Sequence, residues 1–231
     1  MLETATPPAI IAAWFEQLEP LPLSEAVRAP ARAALFSADM VVGFCSKGAL
    51  ASDRVGALAG PIVDLFSRAH EAGVRRFVLL QDTHHETTPE FDAFPPHCIE
   101  GTEEAETISE LAQLPFNDLF TIIGKNSLHP GVDTTFDAWL DANPDITTAI
   151  VVGDCTDLCV YHLAMHLRLR ANALDQQGLE VIVPADAVDT YDLPHAIAAD
   201  AGAMTHDADF FHTVFLYHMA LNGIRVVRAL T

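Results

Sequence analysis

Short apolar runs and helical patterns alternate along most of this chain. AALFSAD (33–39), RRFVLLQD (75–82), LFTIIGK (119–125), TTAIVVGD (147–154), LEVIVPAD (179–186) and GIRVVRAL (223–230) have the length and composition of strands. They are continuous apolar stretches and lack the polar–apolar alternation of a half-exposed strand. Between them, GPIVDLFSRAHEAG (60–73), FDAWLDAN (136–143), LCVYHLAMHLRLRANALDQQG (158–178) and one long pattern across 196–222 fit helices. Apolar strands separated by helices bury both faces of a parallel sheet. The expected fold is a single α/β domain, with helices on both faces of a mostly parallel sheet of about six strands. Residues 8–28 hold Pro-broken helical pieces. An N-terminal helical extension over 1–30 is therefore expected ahead of a domain at 31–231.

Sheets of this kind carry their chemistry at the carboxyl ends of the strands, near a switch in strand order. Four of the expected strands end at Asp39, Asp82, Lys125 and Asp154. Composition narrows what could bind there. A formal net charge of −20 and a pI near 4.6 exclude a nucleic-acid or anionic-membrane surface. With 50% hydrophobic and 19% charged residues the chain is not disordered. Among its 12 basic residues only Lys47 and Lys125 are lysines. Lys47, in the loop SKGAL, reads as an ordinary exposed lysine; Lys125 stands at a strand end. Four cysteines in a chain of this length are not a disulfide scaffold. Met1 to Ala13 shows no basic cluster before an apolar run, and no run is long enough to span a bilayer. The expectation is a reduced, cytoplasmic protein.

Two stretches carry chemistry. In GDCTDLCVYHLAMH (153–166) a strand ends, a tight turn follows, and a helix starts near Cys159. A thiol in the first turn of a helix faces unpaired N–H groups and the positive end of the dipole, which favour the thiolate. The same N–H groups could hold an oxyanion. A free cysteine is more often a small buried hydrophobe. Cys155 precedes the helix and is the weaker of the two as a nucleophile. In QDTHHETTPEFDAFPPHC (81–98), Asp82 and His84 lie two apart in an extended segment and can point the same way. Glu90 and His97 follow in the loop, and His85 and Glu86 compete as donors. Carboxylates with two imidazoles suit a borderline divalent ion such as Zn2+, Mn2+ or Fe2+. A polar surface loop in a chain with 11 histidines is the plain alternative. Asp39 could take a proton from a nearby thiol, or merely cap a loop. Lys125 beside both would stabilise developing negative charge.

From about Ala34 to Val227 the chain resembles the isochorismatase-like cysteine hydrolases, and within them the nicotinamidase branch. SADMVVGF (37–44) is similar to the D-M-x-x-x-F segment of that family. DTHHETTPEFDAFPPHCIEGTEEAE (82–106) resembles its D-x-H…W-P-x-H-C-x-x-G-T-x-G-A-E stretch. IIGKNS (122–127) matches the lysine strand end, and VVGDCTDLCV (151–160) the G-x-x-T-D-x-C-V turn. The resemblance implies a catalytic triad of Asp39, Lys125 and Cys159, and metal ligands Asp82, His84, Glu90 and His97. It implies an oxyanion hole on the backbone N–H groups of Cys155 and Cys159, with a cis peptide between Asp154 and Cys155. Phe44 and Phe94 would wall a ring-binding slot. The chain departs from the pattern at Cys155, where a small residue is usual, at Phe94 for Trp, and at Glu103–Glu104.

The activity so implied is hydrolysis of an aromatic carboxamide, nicotinamide to nicotinate and ammonia, through a Cys159 thioester. The implied cofactor is a divalent metal, Zn2+ ahead of Mn2+ or Fe2+, and the implied partner a small-molecule amide. Self-association is common in the family, so the resemblance leans towards a homo-oligomer. Three rivals stay open: an amidohydrolase of the same family acting on a carbamoyl or ureido compound, a non-catalytic binding protein on the same scaffold, and a vinyl-ether hydrolase. The four metal-type residues argue against the first, the full triad against the second and Cys159 against the third.

Overall fold

The structure, a computed structural model, describes residues 6–201 and 203–231. Residues 1–5 of the expected extension, and Gly202 within the long helical pattern, lie outside the described residues. Seven parallel strands form one sheet: β1 (Ala33–Ala38), β2 (Phe77–Asp82), β3 (Phe120–Lys125), β4 (Thr148–Asp154), β5 (Glu180–Pro184), β6 (Val188–Asp189) and β7 (Arg225–Val227). Their order is β3-β2-β1-β4-β5-β7, and β6 pairs with the end of β4. The six expected runs each hold one of these strands. The two-residue β6, just past the turn at Ala185–Ala187, was not expected.

Side chains alternate across each strand, so every central strand feeds two cores. Leu35, Leu79, Ile150 and Ile182 face one layer, where Ile62, Leu65 and Phe66 of the helix Ala59–Glu71 cover them. Phe36, Val78, Leu80, Val151 and Val183 face the other, covered by the helices Phe136–Ala142, Cys159–Ala173 and Ala208–Leu221. This double burial explains why the runs are apolar throughout.

The pattern across 196–222 is not one helix. It is two, His195–Ala201 and Ala208–Leu221. Between them His206 exchanges backbone hydrogen bonds with Leu193, which precedes the first helix, at 3.0 and 2.8 Å, and the Asp207 side chain caps the second helix by accepting from the Phe210 N–H. The N-terminal pieces are helices at Ala9–Glu16 and Leu23–Ala26. The first lies on the C-terminal helix, with Trp14 edge-on to Tyr217 at 5.2 Å, and the Arg228 guanidinium 5.0 Å from the Phe15 ring centre. No helix among the described residues is long and apolar enough to cross a membrane.

The chain leaves β1 towards β2 and β3 on one side, and leaves β4 towards β5 and β7 on the other. The crevice beyond the β1 and β4 ends is thus the switch point. The strands approach closely there. Gly153 has φ +109°, and a Cβ on it would stand 2.0 Å from the Ala38 carbonyl oxygen. Gly153→Ala is expected to cost about 3 kcal/mol from overpacking and backbone strain together. That corresponds to a melting temperature roughly 6–12 °C lower; a shift under 2 °C would contradict the close approach.

Candidate active site

The sheet brings three of the expected strand-end groups, Asp39, Asp82 and Lys125, into one buried cluster with Cys159. Asp39 follows β1 in the left-handed region, φ 52°, which turns the chain out of the sheet and aims the carboxylate across the crevice. Asp82 ends β2, Lys125 ends the neighbouring β3 in direct register with it, and Cys159 opens the helix after β4. All four are 5% exposed or less. The Lys125 Nζ stands 2.8 Å from Asp39 Oδ2 and 3.5 Å from Cys159 Sγ, and pairs with Asp82 Oδ1. The Asp82 N–H donates to Asp39 Oδ1 at 2.6 Å.

Burial pushes the Asp39 carboxyl up to about 6, helped by Asp82 and opposed by Lys125. Burial also acts on Asp82, but it is outweighed, and the Lys125 ammonium does most to hold that carboxyl well below the usual range. Lys125 stays firmly protonated: burial disfavours its charge, and Asp39 and Asp82 more than restore it. The thiol departs from expectation. Burial first and Asp39 next push Cys159 well above its ordinary value, against the pull of Lys125. The place at a helix entrance does not by itself produce a resting thiolate. The resting site is a protonated thiol beside the Lys125 ammonium.

Asp82 joins this cluster to a second one. Its other oxygen, Oδ2, lies 3.4 Å from His84 Nε2 and 3.7 Å from His97 Nε2, and Glu90 Oε1 lies 3.7 Å from His84 Nε2. One donor atom from each of the four residues falls within 4.8 Å of all the others. Asp82 Oδ2, His84 Nε2 and Glu90 Oε1 are buried without a hydrogen-bond partner. Buried polar atoms left unpaired need an explanation, and a shared cation supplies one. Donors about 2.1 Å from one tetrahedral ion stand about 3.4 Å apart. The tautomers fit as well. His84 Nδ1 faces Asn126 Oδ1 at 3.2 Å, and His97 Nδ1 faces the Pro95 carbonyl at 2.8 Å. Both outer nitrogens therefore donate, and both Nε2 lone pairs point inward. Backbone pairing of His84 with Cys98 and Glu100 closes the loop and returns His97 to His84. The competing donors His85 and Glu86 are exposed and outside the cluster.

Phe44 is buried with its ring 5.4 Å from the His97 ring, while Phe94, half-buried, is at 6.4 Å. In the turn after β4 the Asp154–Cys155 peptide is cis. The Thr156, Leu158 and Val160 amides bond to the Asp189 and Cys155 carbonyls. Among the described residues no such bond occupies the Cys155 or Cys159 amide, and no side chain caps this helix start.

Four supporting residues escaped sequence reasoning. Asn126 orients His84, and its place beside Lys125 was the one available signal. Phe91 packs against His84 at 5.5 Å and His97 at 5.6 Å. His206 and His212 brace Asp157 and Thr156 of the turn from 49 and 56 residues away, a range at which no local pattern operates.

The chain is similar to known proteins in sequence and in fold. The isochorismatase domain model matches residues 33–214. Nicotinamidase 1 of Arabidopsis thaliana is 32% identical over 203 residues, 82% of each chain. A cysteine hydrolase from Pseudomonas syringae superposes with a TM-score of 0.70 at 24% identity, covering 91% of this chain and 92% of that one. A pyrazinamidase of Pyrococcus horikoshii, solved in complex with zinc, gives 0.65 at 22% identity, over 85% and 99%. The two structural likenesses establish the fold; the domain match and the plant relative establish descent. The chain belongs to the isochorismatase family.

Proposed function

We propose that this protein is a cysteine amidohydrolase that converts an aromatic carboxamide, nicotinamide first among them, to the acid and ammonia. One observation carries the reading: Lys125 bridges Asp39, Cys159 and Asp82, and Asp82 hands its second oxygen to the His84–Glu90–His97 cluster. Nucleophile and ring-holding site thus share a single residue.

The Cys159 thiol gives its proton to Asp39 as sulfur adds to the amide carbon, and the Cys155 and Cys159 N–H groups receive the oxyanion. A carboxyl near 6 is suited to this exchange. Lys125 offsets the negative charge shared between sulfur and carboxylate. Collapse breaks the C–N bond; Asp39 returns the proton to the nitrogen and ammonia leaves. Water then adds to the thioester, Asp39 takes its proton, and the acid departs as the thiol reforms. Asp82, His84, Glu90 and His97 would hold a divalent ion, Zn2+ ahead of Mn2+ or Fe2+, which would supply Lewis-acid binding of a ring nitrogen. Phe44 and Phe94 would flank the ring.

Ammonia release from nicotinamide, against carbamoyl and ureido compounds, tests the reading. Turnover confined to the latter would transfer the protein to the rival amidase class. His84→Ala is expected to weaken Zn2+ binding by at least about 10²-fold and to raise KM for nicotinamide while Cys159 remains alkylatable. Unchanged metal content in that variant would sink the ligand assignment.

A further inference from the structure

A second buried contact between a histidine and a carboxyl group lies behind the nucleophile turn. His206 Nε2 is 2.8 Å from Asp157 Oδ2, and His206 Nδ1 is 2.8 Å from the Tyr191 carbonyl oxygen. The His206 and Asp157 side chains are 10% and 4% exposed. A neutral imidazole has one N–H and can serve only one of two acceptors. A carbonyl oxygen never donates. With Asp157 ionised, both ring nitrogens must carry protons, and the ring is an imidazolium. The surroundings suit a cation. The ring is stacked between Tyr191, at 4.0 Å and 15°, and Phe211, at 4.4 Å and 6°.

The groups facing the ring are Asp157 from the nucleophile turn, and Tyr191 and Asp192 from the segment after β6. Burial alone would favour the neutral ring; the Asp157 hydrogen bond and charge, then the Tyr191 carbonyl and Asp192, outweigh it. Asp157 is two residues before Cys159, and among the described residues its Oδ1 has no hydrogen-bond partner. His206 itself is anchored through its backbone to Leu193.

We propose that His206 is a positioning residue: as a standing imidazolium it clamps Asp157, and so holds the 154–159 turn that sets the Cys159 sulfur and the two oxyanion amides. The role rests on the amidohydrolase reading.

Imidazole nitrogen NMR of the whole protein tests the charge directly, the signal being assigned by its loss in His206→Phe. At pH 7.5, where an ordinary histidine with a pKa of about 6.5 is mostly neutral, His206 is expected to show two protonated nitrogens. A neutral ring there overturns the proposal. His206→Phe keeps the aromatic stack and removes both hydrogen bonds. It is expected to lower kcat by about 10²-fold with KM within about threefold. The double variant His206→Phe/Asp157→Leu removes the unpaired carboxylate as well, so its melting temperature should return towards wild type. Its kcat should stay low. Recovery of kcat together with stability would reduce His206 to a structural residue and overturn the role. If the wild-type protein hydrolyses no amide, the function reading fails by itself, and alkylation of Cys159 by iodoacetamide carries the test. Labelling at least about fivefold slower in the double variant supports the clamp; equal labelling refutes it.

Discussion

Cys159→Ala is expected to abolish amide hydrolysis and to leave the fold and the ion-binding cluster intact. In the proposed mechanism the sulfur is the atom that forms and breaks the covalent bond. Asp39 could at best direct a water at the amide. Loss of a covalent nucleophile costs about 10⁴-fold or more in kcat. The structural cost is small. Removing one sulfur from a packed site leaves a void of about one methyl group, on the order of 1 kcal/mol. Lys125 loses its 3.5 Å contact with sulfur but keeps both carboxylates. The checks are ammonia release, melting temperature and metal content on the same preparation. Turnover within tenfold of wild type would remove Cys159 from the mechanism. It would shift attention to Cys155, which burial and then Asp154 push well above the ordinary thiol value.

The site was legible because it is made of strand ends, and strand ends can be found from local sequence. An apolar run closing on Asp or Lys marks both a strand and the edge of the sheet. Once the strands are parallel, Asp39, Asp82 and Lys125 must share that edge. The rest depended on distance. The Cys159 thiol followed a local rule, helix entrance lowers pKa, that tertiary burial overrode. The break in the 196–222 pattern has no proline to announce it. It arises because His206 pairs with Leu193 across the chain and Asp207 is free to cap a new helix. Strand β6 is too short for any periodicity to register. His85 and Glu86 could not be set aside from spacing, since only the return of the loop at Cys98 and Glu100 decides which side chains turn inward.

Lys125→Met is expected to be the most destabilising substitution in the site as well as an inactivating one. Methionine nearly fills the lysine volume, so the change is one of charge. It strands Asp39 and Asp82, both buried, with the Asp82 N–H as the one remaining bridge between them. Removing one partner of a buried ion pair costs about 3–5 kcal/mol, or roughly 6–20 °C in melting temperature for a chain of this size. The pH dependence distinguishes this cause from poor packing. In the wild-type protein Lys125 lowers both carboxyls, although burial still leaves Asp39 near 6. Without the ammonium both folded values rise. A carboxyl whose folded pKa lies above its unfolded one destabilises the fold at high pH, and the penalty fades as pH falls through the raised value. The gap between variant and wild type should therefore be widest near pH 8 and narrow towards pH 5, at matched metal content. A gap that is constant over that range would mean that the carboxylates are not charged neighbours of Lys125, and the electrostatic core of the proposed catalytic site would go with it.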